Sequence, residues 1–143
     1  MKSILFVDDE PLLLSAISRG LRKDRERWHM VFVEDARAAL KAMETETFNA
    51  VVTDFRMPGM DGVTFLQHVR RDHRSTARIM LSGNVEPSID AMARTFAHEL
   101  LSKPCSIAAL RACLERQLGC NATSSARVRA AVRAISDRVL ANR

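Results

Sequence analysis

Acidic residues, a hydroxyl and a lysine each stand at or just beyond the end of a short apolar run in this 143-residue chain. In chain order they are Asp8, Asp9, Glu10, Asp54, Ser82 and Lys103. Carboxylates that converge repel one another, so they either raise their pKa values or recruit a cation. A few carboxylates with room left for water suit Mg²⁺ better than a complete Ca²⁺ cage.

The other groups suit a phosphate. Lys103 supplies a positive point charge on a flexible stem, and Ser82 supplies a hydroxyl. Gly83 has a backbone N–H that a ligand can approach closely. With a metal ion, these groups provide what phosphoryl transfer onto a carboxylate needs, because the charge on the moving group must be neutralised and the attacking oxygen aimed.

Each group alone has a simpler interpretation. The acids at 8–10 could cap the first helix, Asp54 could belong to a turn, Lys103 could be a surface lysine, and Ser82 could be a turn former. Their joint occurrence at four predicted strand ends favours a shared site over four unrelated ones.

The elements that would position these residues alternate regularly. Continuous apolar runs predict five strands at 3–7, 29–33, 49–53, 78–82 and 98–102. Amphipathic segments predict five helices at 11–24, 35–45, 61–72, 86–95 and 106–118, with Asp35, Asp61 and Ser106 as caps. This order predicts an α/β fold with a parallel sheet covered on both faces. Ligands of such sheets bind beyond the carboxyl ends of the strands, which is where the acidic residues, Ser82 and Lys103 are expected.

Composition narrows the class of protein. Hydrophobic residues make up 47% and charged residues 27%, which is ordinary for a soluble globular domain. The apolar runs are too short to span a membrane, and the N-terminal run is too short for a signal peptide. We therefore expect no membrane contact, a cytoplasmic location and reduced thiols at Cys105, Cys113 and Cys120.

The net charge of +5 is concentrated at one end. Residues 121–143 hold five arginines and one aspartate, so they carry +4 and the rest of the chain is nearly neutral. A nearly neutral body argues against nucleic acid binding by this chain.

Four segments carry a resemblance to a known family. They are "ILFVDDEP" (4–11), "VVTDFRMPGMDG" (51–62), "RIMLSG" (78–83) and "LLSKP" (100–104). In this order and spacing, residues 1–120 resemble a two-component response-regulator receiver domain. The resemblance implies a flavodoxin-like (βα)5 sheet of order 2-1-3-4-5, to which we add an extra C-terminal helix.

The resemblance also implies a role for each site residue. Asp54 would accept the phosphoryl group, and Asp9, Asp54 and the backbone carbonyl of Arg56 would ligate Mg²⁺ with help from Asp8. Lys103, Ser82 and Gly83 would bind the phosphoryl group, and the Lys103–Pro104 peptide bond would be cis.

Three positions concern switching and phosphoryl lifetime. Leu100 stands where receivers usually carry Tyr or Phe. Either the face of helix 4, strand 5 and helix 5 signals without this aromatic ring, or Phe96 or His98 substitutes for it. Arg56 and Asn84 stand where receivers tune the lifetime of the phosphoryl group.

The chain divides into the receiver at 1–120 and a basic segment at 121–143. In this segment Val128, Val132, Ile135 and Val139 are spaced as a two-heptad stripe. The alternatives are a helix packed on the domain or a linker to an output domain, a dimerising coiled coil, or a contact with nucleic acid or a membrane, which the lack of aromatic anchors beside the arginines disfavours. More weakly, "KPC" and the helix after it resemble receivers that precede HDOD or HD-GYP output domains.

We therefore expect a signalling switch, not an enzyme beyond its own phosphorylation and dephosphorylation. A sensor histidine kinase or phosphotransfer protein would phosphorylate Asp54, and the face of helix 4, strand 5 and helix 5 would then control a partner or output domain. The alternatives are an interaction or dimerisation module with a silent site, or an aspartyl-phosphate hydrolase. Arg56 counts against the hydrolase, which needs a second acid there.

Overall fold

The predicted alternation of strands and helices is confirmed in the computed structural model, which describes residues 1–83 and 85–119. The strands are β1 Lys2–Val7, β2 Trp28–Val33, β3 Ala50–Asp54, β4 Ala77–Ser82 and β5 Glu99–Ser102. The helices are α1 Pro11–Gly20, α2 Ala36–Thr45, α3 Gly62–Asp72, α4 Pro87–Phe96 and α5 at 107–119, and a short 3-10 helix spans Arg22–Glu26. Asn84, Cys120 and the predicted C-terminal helix lie outside the described residues.

The five strands form one parallel sheet in the order β2-β1-β3-β4-β5, as predicted. The carboxyl ends of β1 and β3 are neighbours in this order, and β3 is followed by β4 and β5. The sheet thus brings the residues that follow these strands to one edge.

Apolar layers cover both faces of the sheet because successive side chains of a strand point to opposite sides. Ile4 and Phe6 of β1 belong to the layer shared with α1 and α5. Leu5 and Val7 belong to the layer shared with α2, α3 and α4. The predicted helix stripes are buried in these layers; they are Leu14, Ile17 and Leu21, and Val63, Leu66 and Val69.

The predicted helix at 11–24 was too long, because α1 ends at Gly20. Contacts that are distant in sequence account for this. Arg111 of α5 donates to the Gly20 carbonyl at 3.1 Å, and its Nε donates to buried Asp24 at 3.0 Å. A Cβ on Gly20 would lie 2.5 Å from the Ile107 side chain, so the glycine lets α5 approach closely. The chain therefore turns into the 3-10 helix.

Candidate functional site

Four acidic side chains meet at the carboxyl edge of the sheet. One carboxylate oxygen from each of Asp8, Asp9, Glu10 and Asp54 lies within 4.8 Å of the others. Asp8 and Asp54 are buried, and Asp54 is the last residue of β3. Glu10 occupies the N-cap position of α1 but makes no side-chain capping bond. The Glu10 side chain therefore belongs to the acid cluster without capping α1.

Lys103 faces two of these acids. Its Nζ lies 3.2 Å from Asp54 Oδ1 and 3.3 Å from Asp8 Oδ2, and 23% of its side chain is exposed. Burial alone would lower the pKa of Lys103, but the charges of Asp8 and Asp54 outweigh burial and raise that pKa. Lys103 is therefore a fixed cation in the site rather than a surface lysine.

A backbone hydrogen bond to the end of β4 fixes the position of Lys103. Its N–H donates to the Ser82 carbonyl at 2.7 Å, which extends the pairing of β4 with the segment after β5. The Lys103–Pro104 bond is cis, as the resemblance implied.

Asp8 is held in an environment that disfavours its charge. Burial raises the pKa of its carboxyl most, and the nearby charge of Asp54 raises it further. The Glu10 N–H, which donates to Asp8 Oδ1 at 2.9 Å, and Lys103 oppose this shift without cancelling it. A cation near Asp8 would remove the cost of keeping this carboxylate ionised.

The junction of β3 and α3 fixes the Asp54 carboxylate. The Phe55 N–H donates to Asp54 Oδ1 at 2.8 Å, and the Gly62 N–H donates to the Phe55 carbonyl at 2.8 Å. A Cβ on Gly62 would lie only 2.2 Å from the Asp54 carbonyl oxygen, so α3 can begin here only with glycine. Asp61 caps α3 as predicted, because its Oδ1 accepts from the Thr64 N–H at 2.8 Å.

Ser82 and Gly83 complete the edge at the end of β4. The Ser82 side chain is buried, and its hydroxyl donates to the Gly83 carbonyl at 3.2 Å. Gly83 lines a cavity of about 320 Å³ beside the acids and Lys103. The other residues that line this cavity are Asp9, Glu10, Asp54, Phe55, Arg56, Val85 and Lys103.

Comparison with known proteins identifies the family. The family model for the response regulator receiver domain matches residues 4–115. The chain belongs to the response-regulator receiver family. As a receiver, it is a phosphorylation-dependent switch of two-component signalling.

Individual relatives agree with this assignment. A protein-glutamate methylesterase/protein-glutamine glutaminase of Cereibacter sphaeroides is 33% identical over 137 residues, which are 94% of this chain and 34% of the relative. A probable chemotaxis protein CheY of Rhizobium etli is 29% identical over 119 residues, which are 81% of this chain and 92% of the relative. This chain thus spans about a third of the length of the methylesterase, and only the receiver part of that relative matches it.

A solved structure shows the same fold. The signal receiver domain of an HD domain-containing protein from Pseudomonas fluorescens Pf-5 superposes with a TM-score of 0.79 at 26% identity. The match covers 88% of this chain and 93% of that one.

The donors present fit the Mg²⁺ that receivers bind. The acid cluster offers hard oxygen ligands from Asp8, Asp9 and Asp54 at one point, as Mg²⁺ prefers. The adjoining cavity leaves space for water and a phosphoryl oxygen. Ligation by the Arg56 carbonyl stays a prediction.

The receiver switch positions are partly described. Leu100 pairs with Met80 of β4 and packs, half buried, against the layer of α2, α3 and α4. His98 accepts the Arg78 N–H at 2.9 Å, at the end of β4 away from Ser82. Phe96 packs against the same layer as Leu100, and the Arg70 guanidinium lies 5.5 Å from its ring centroid. Asn84, which with Arg56 is predicted to tune the phosphoryl lifetime, lies outside the described residues.

No helix within residues 1–83 and 85–119 combines the length and the hydropathy that a membrane-spanning helix requires.

Proposed function

We propose that Asp54 accepts a phosphoryl group from a sensor histidine kinase or a phosphotransfer protein. The observation that carries this proposal is the position of Lys103 Nζ, 3.2 Å from Asp54 Oδ1 and 3.3 Å from Asp8 Oδ2. This position supports the proposal because a carboxylate that can act as the nucleophile already lies beside a cation that can bind phosphate. Both lie next to a cluster of hard oxygen ligands.

The transfer follows from these contacts. An oxygen of the Asp54 carboxylate forms a bond to phosphorus while the bond between phosphorus and the donor nitrogen breaks. The electron pair of that bond stays on the imidazole nitrogen, and the product on the receiver is an acyl phosphate. Asp9, Asp54 and the Arg56 carbonyl, with help from Asp8, would hold Mg²⁺, which would supply positive charge to neutralise the phosphoryl group.

Lys103 and Ser82 stabilise the phosphorylated state. Lys103 exchanges a carboxylate oxygen for a phosphoryl oxygen, a charge-assisted contact of the same kind. The Ser82 hydroxyl leaves the Gly83 carbonyl, and both the hydroxyl and the Gly83 N–H bind the phosphoryl group. Phosphorylation adds about −1.5 to −2 charge at the sheet edge, so these contacts favour one of two conformations.

We infer that the changed surface is formed by α4, β5 and α5. Ser82 pairs with Ser102, and Met80, two residues earlier in β4, pairs with Leu100 of β5. A movement of Ser82 is therefore transmitted directly to β5. This surface would control an output domain or a separate partner, and a homodimer is one such partner. We place these events in the cytoplasm.

Intact mass after treatment with acetyl phosphate and Mg²⁺ tests the proposal. We expect the wild-type chain to gain one phosphoryl group, Asp54→Asn to gain none, and Asp72→Asn, an exposed control at the end of α3, to behave as wild type. An unmodified wild type would favour the silent module. Continuous release of phosphate from phosphoesters would favour a hydrolase.

A further inference from the structure

The peptide unit between Asp54 and Phe55 is hydrogen-bonded at both ends. The Thr53 hydroxyl donates to its oxygen, Asp54 O, at 2.9 Å. Its N–H, on Phe55, donates to Asp54 Oδ1 at 2.8 Å. Because a peptide unit is planar, a donor that fixes its oxygen also fixes the direction of its N–H. Thr53 thus acts on the Asp54 side chain through the backbone.

Thr53 is well suited to hold this peptide. Its side chain is fully buried in β3, and a β-branched side chain has few accessible χ1 rotamers. On the α3 side, Gly62 packs against the same Asp54 oxygen without a Cβ. The hydroxyl and the glycine therefore restrict the rotation of one peptide unit.

The consequence appears at the carboxylate. Asp54 Oδ1 accepts from the Phe55 N–H and lies 3.2 Å from Lys103 Nζ, so two donors face one oxygen. An oxygen with two donors has less electron density available for a new bond than its partner oxygen. The orientation of this carboxylate therefore distinguishes Oδ1 from Oδ2.

We propose that Thr53 is a positioning residue for phosphoryl transfer, which holds Asp54 Oδ1 through the Asp54–Phe55 peptide and leaves Oδ2 to form the bond to phosphorus. This inference rests on the proposed role of Asp54 as phosphoacceptor. Thr53 does not contact the phosphoryl group, so its effect is on the rate of transfer and on the Phe55 amide.

Thr76 provides a matched control. Like Thr53 it is buried, and its hydroxyl donates to a backbone carbonyl, that of Phe48, at 2.8 Å. It precedes β4, whereas Ser82 and the site are at the other end of that strand. Thr76→Val therefore removes the same kind of hydrogen bond away from the acids.

The first experiment compares rates of phosphorylation by acetyl phosphate at saturating Mg²⁺, followed by intact mass. We expect Thr53→Val to slow the reaction about three- to tenfold, the effect of one lost hydrogen bond. Thr53→Ser restores the rate because it keeps the hydroxyl, and Thr76→Val leaves the rate unchanged. Thr53→Ala serves as the second variant if Thr53→Val does not fold.

The second experiment needs neither metal nor phosphodonor. In the metal-free protein, we expect Thr53→Val to shift the Phe55 amide proton resonance and Thr53→Ser to restore it, while Thr76→Val leaves it in place. An unchanged Phe55 resonance in Thr53→Val would overturn the inference, as would an equal loss of rate in Thr53→Val and Thr76→Val.

The two proposals fail in different ways. If the wild type gains no phosphoryl group, the proposed function fails and this inference fails with it. If the wild type is phosphorylated and Thr53→Val reacts at the same rate, the inference alone is overturned.

Discussion

Two buried carboxylates in this receiver have pKa values that are shifted in opposite directions. Burial raises the pKa of Asp8, and its hydrogen bonds do not cancel that effect. Burial would also raise the pKa of Asp24, but hydrogen bonds from Arg27 and Arg111 outweigh it and lower that pKa. The negative charge of Asp8 is thus only partly compensated by its neighbours, whereas the charge of Asp24 is fully compensated by Arg27 and Arg111.

This contrast predicts opposite effects on stability. A raised folded-state pKa means that the folded chain binds more protons, so Asp8 lowers stability as pH rises above its ordinary pKa of 3.8. At pH 7 without metal, we expect Asp8→Asn to raise Tm by a few degrees, at about 4 °C per kcal/mol. This gain should shrink as pH falls towards 3.8. Thermal melting by circular dichroism measures it.

Asp24→Asn is the matched control. Its lowered pKa contributes stability above the ordinary value of 3.8 that is lost as pH falls. We therefore expect Asp24→Asn to lower Tm at pH 7. A lower Tm for Asp8→Asn as well would show that Asp8 stabilises the metal-free fold, contrary to our account.

Arg56 is exposed and lines the cavity beside Asp54. A long cation there can pair with phosphoryl oxygens or shield them from water. We expect Arg56→Asn to change the dephosphorylation rate of phospho-Asp54 several-fold, measured as decay of the intact-mass adduct. Arg74→Asn, in the loop after α3, should leave that rate unchanged. Equal lifetimes in wild type and Arg56→Asn would contradict the prediction.

At the scale of elements, the junction of β3 and α3 does most to shape the site. It supplies the Asp54 carboxylate, the Phe55 N–H and the cap Asp61 within a few residues. The close contact of Gly62 with the Asp54 carbonyl determines how near α3 comes to the strand end. The geometry of Asp54, the proposed phosphoacceptor, thus depends on where one helix begins.

Gly62→Ala tests this dependence. The added Cβ has no room beside the Asp54 oxygen, so we expect a loss of about 1–3 kcal/mol in the free energy of unfolding and slower phosphorylation. Urea denaturation gives the first quantity, and intact mass gives the second. Gly119→Ala, whose Cβ would meet no described residue within 4 Å, should lose neither. An unaffected Gly62→Ala would mean that the junction is adaptable.

Local signals were sufficient for the elements that build the site. Apolar runs predicted both ends of all five strands to within one residue, because a buried parallel strand, like a capped helix, is specified by contiguous residues. The end of α1 was missed because it depends on Arg111 and Ile107, about 90 residues away. The role of Thr53 was missed because a buried threonine in a strand is ordinary in sequence.

At the scale of the whole molecule, the five parallel strands end at one edge of the sheet, and α5, at 107–119, is the last element that the structure describes. Residues 1–119 contain both apolar layers and the whole acid cluster. We therefore propose that residues 1–120 fold and accept a phosphoryl group without the basic segment.

Deletion of 121–143 tests this division. We expect unchanged phosphorylation by acetyl phosphate and a change in Tm of no more than a few degrees. Light scattering on the full chain and on the shortened chain then tests dimerisation. If the full chain is a dimer and the shortened chain a monomer, the segment at 121–143 mediates the dimer. Loss of phosphorylation on deletion would show that the receiver extends beyond 120.

The measurement that tests the account most directly is the position of the phosphoryl group. Borohydride reduces an acyl phosphate to an alcohol, which marks the acceptor aspartate as homoserine for peptide mass spectrometry. We predict that the mark falls on Asp54, within the peptide that contains 51–62. A mark on Asp8 or Asp9 instead would contradict the assignment of nucleophile and metal ligands on which the account rests.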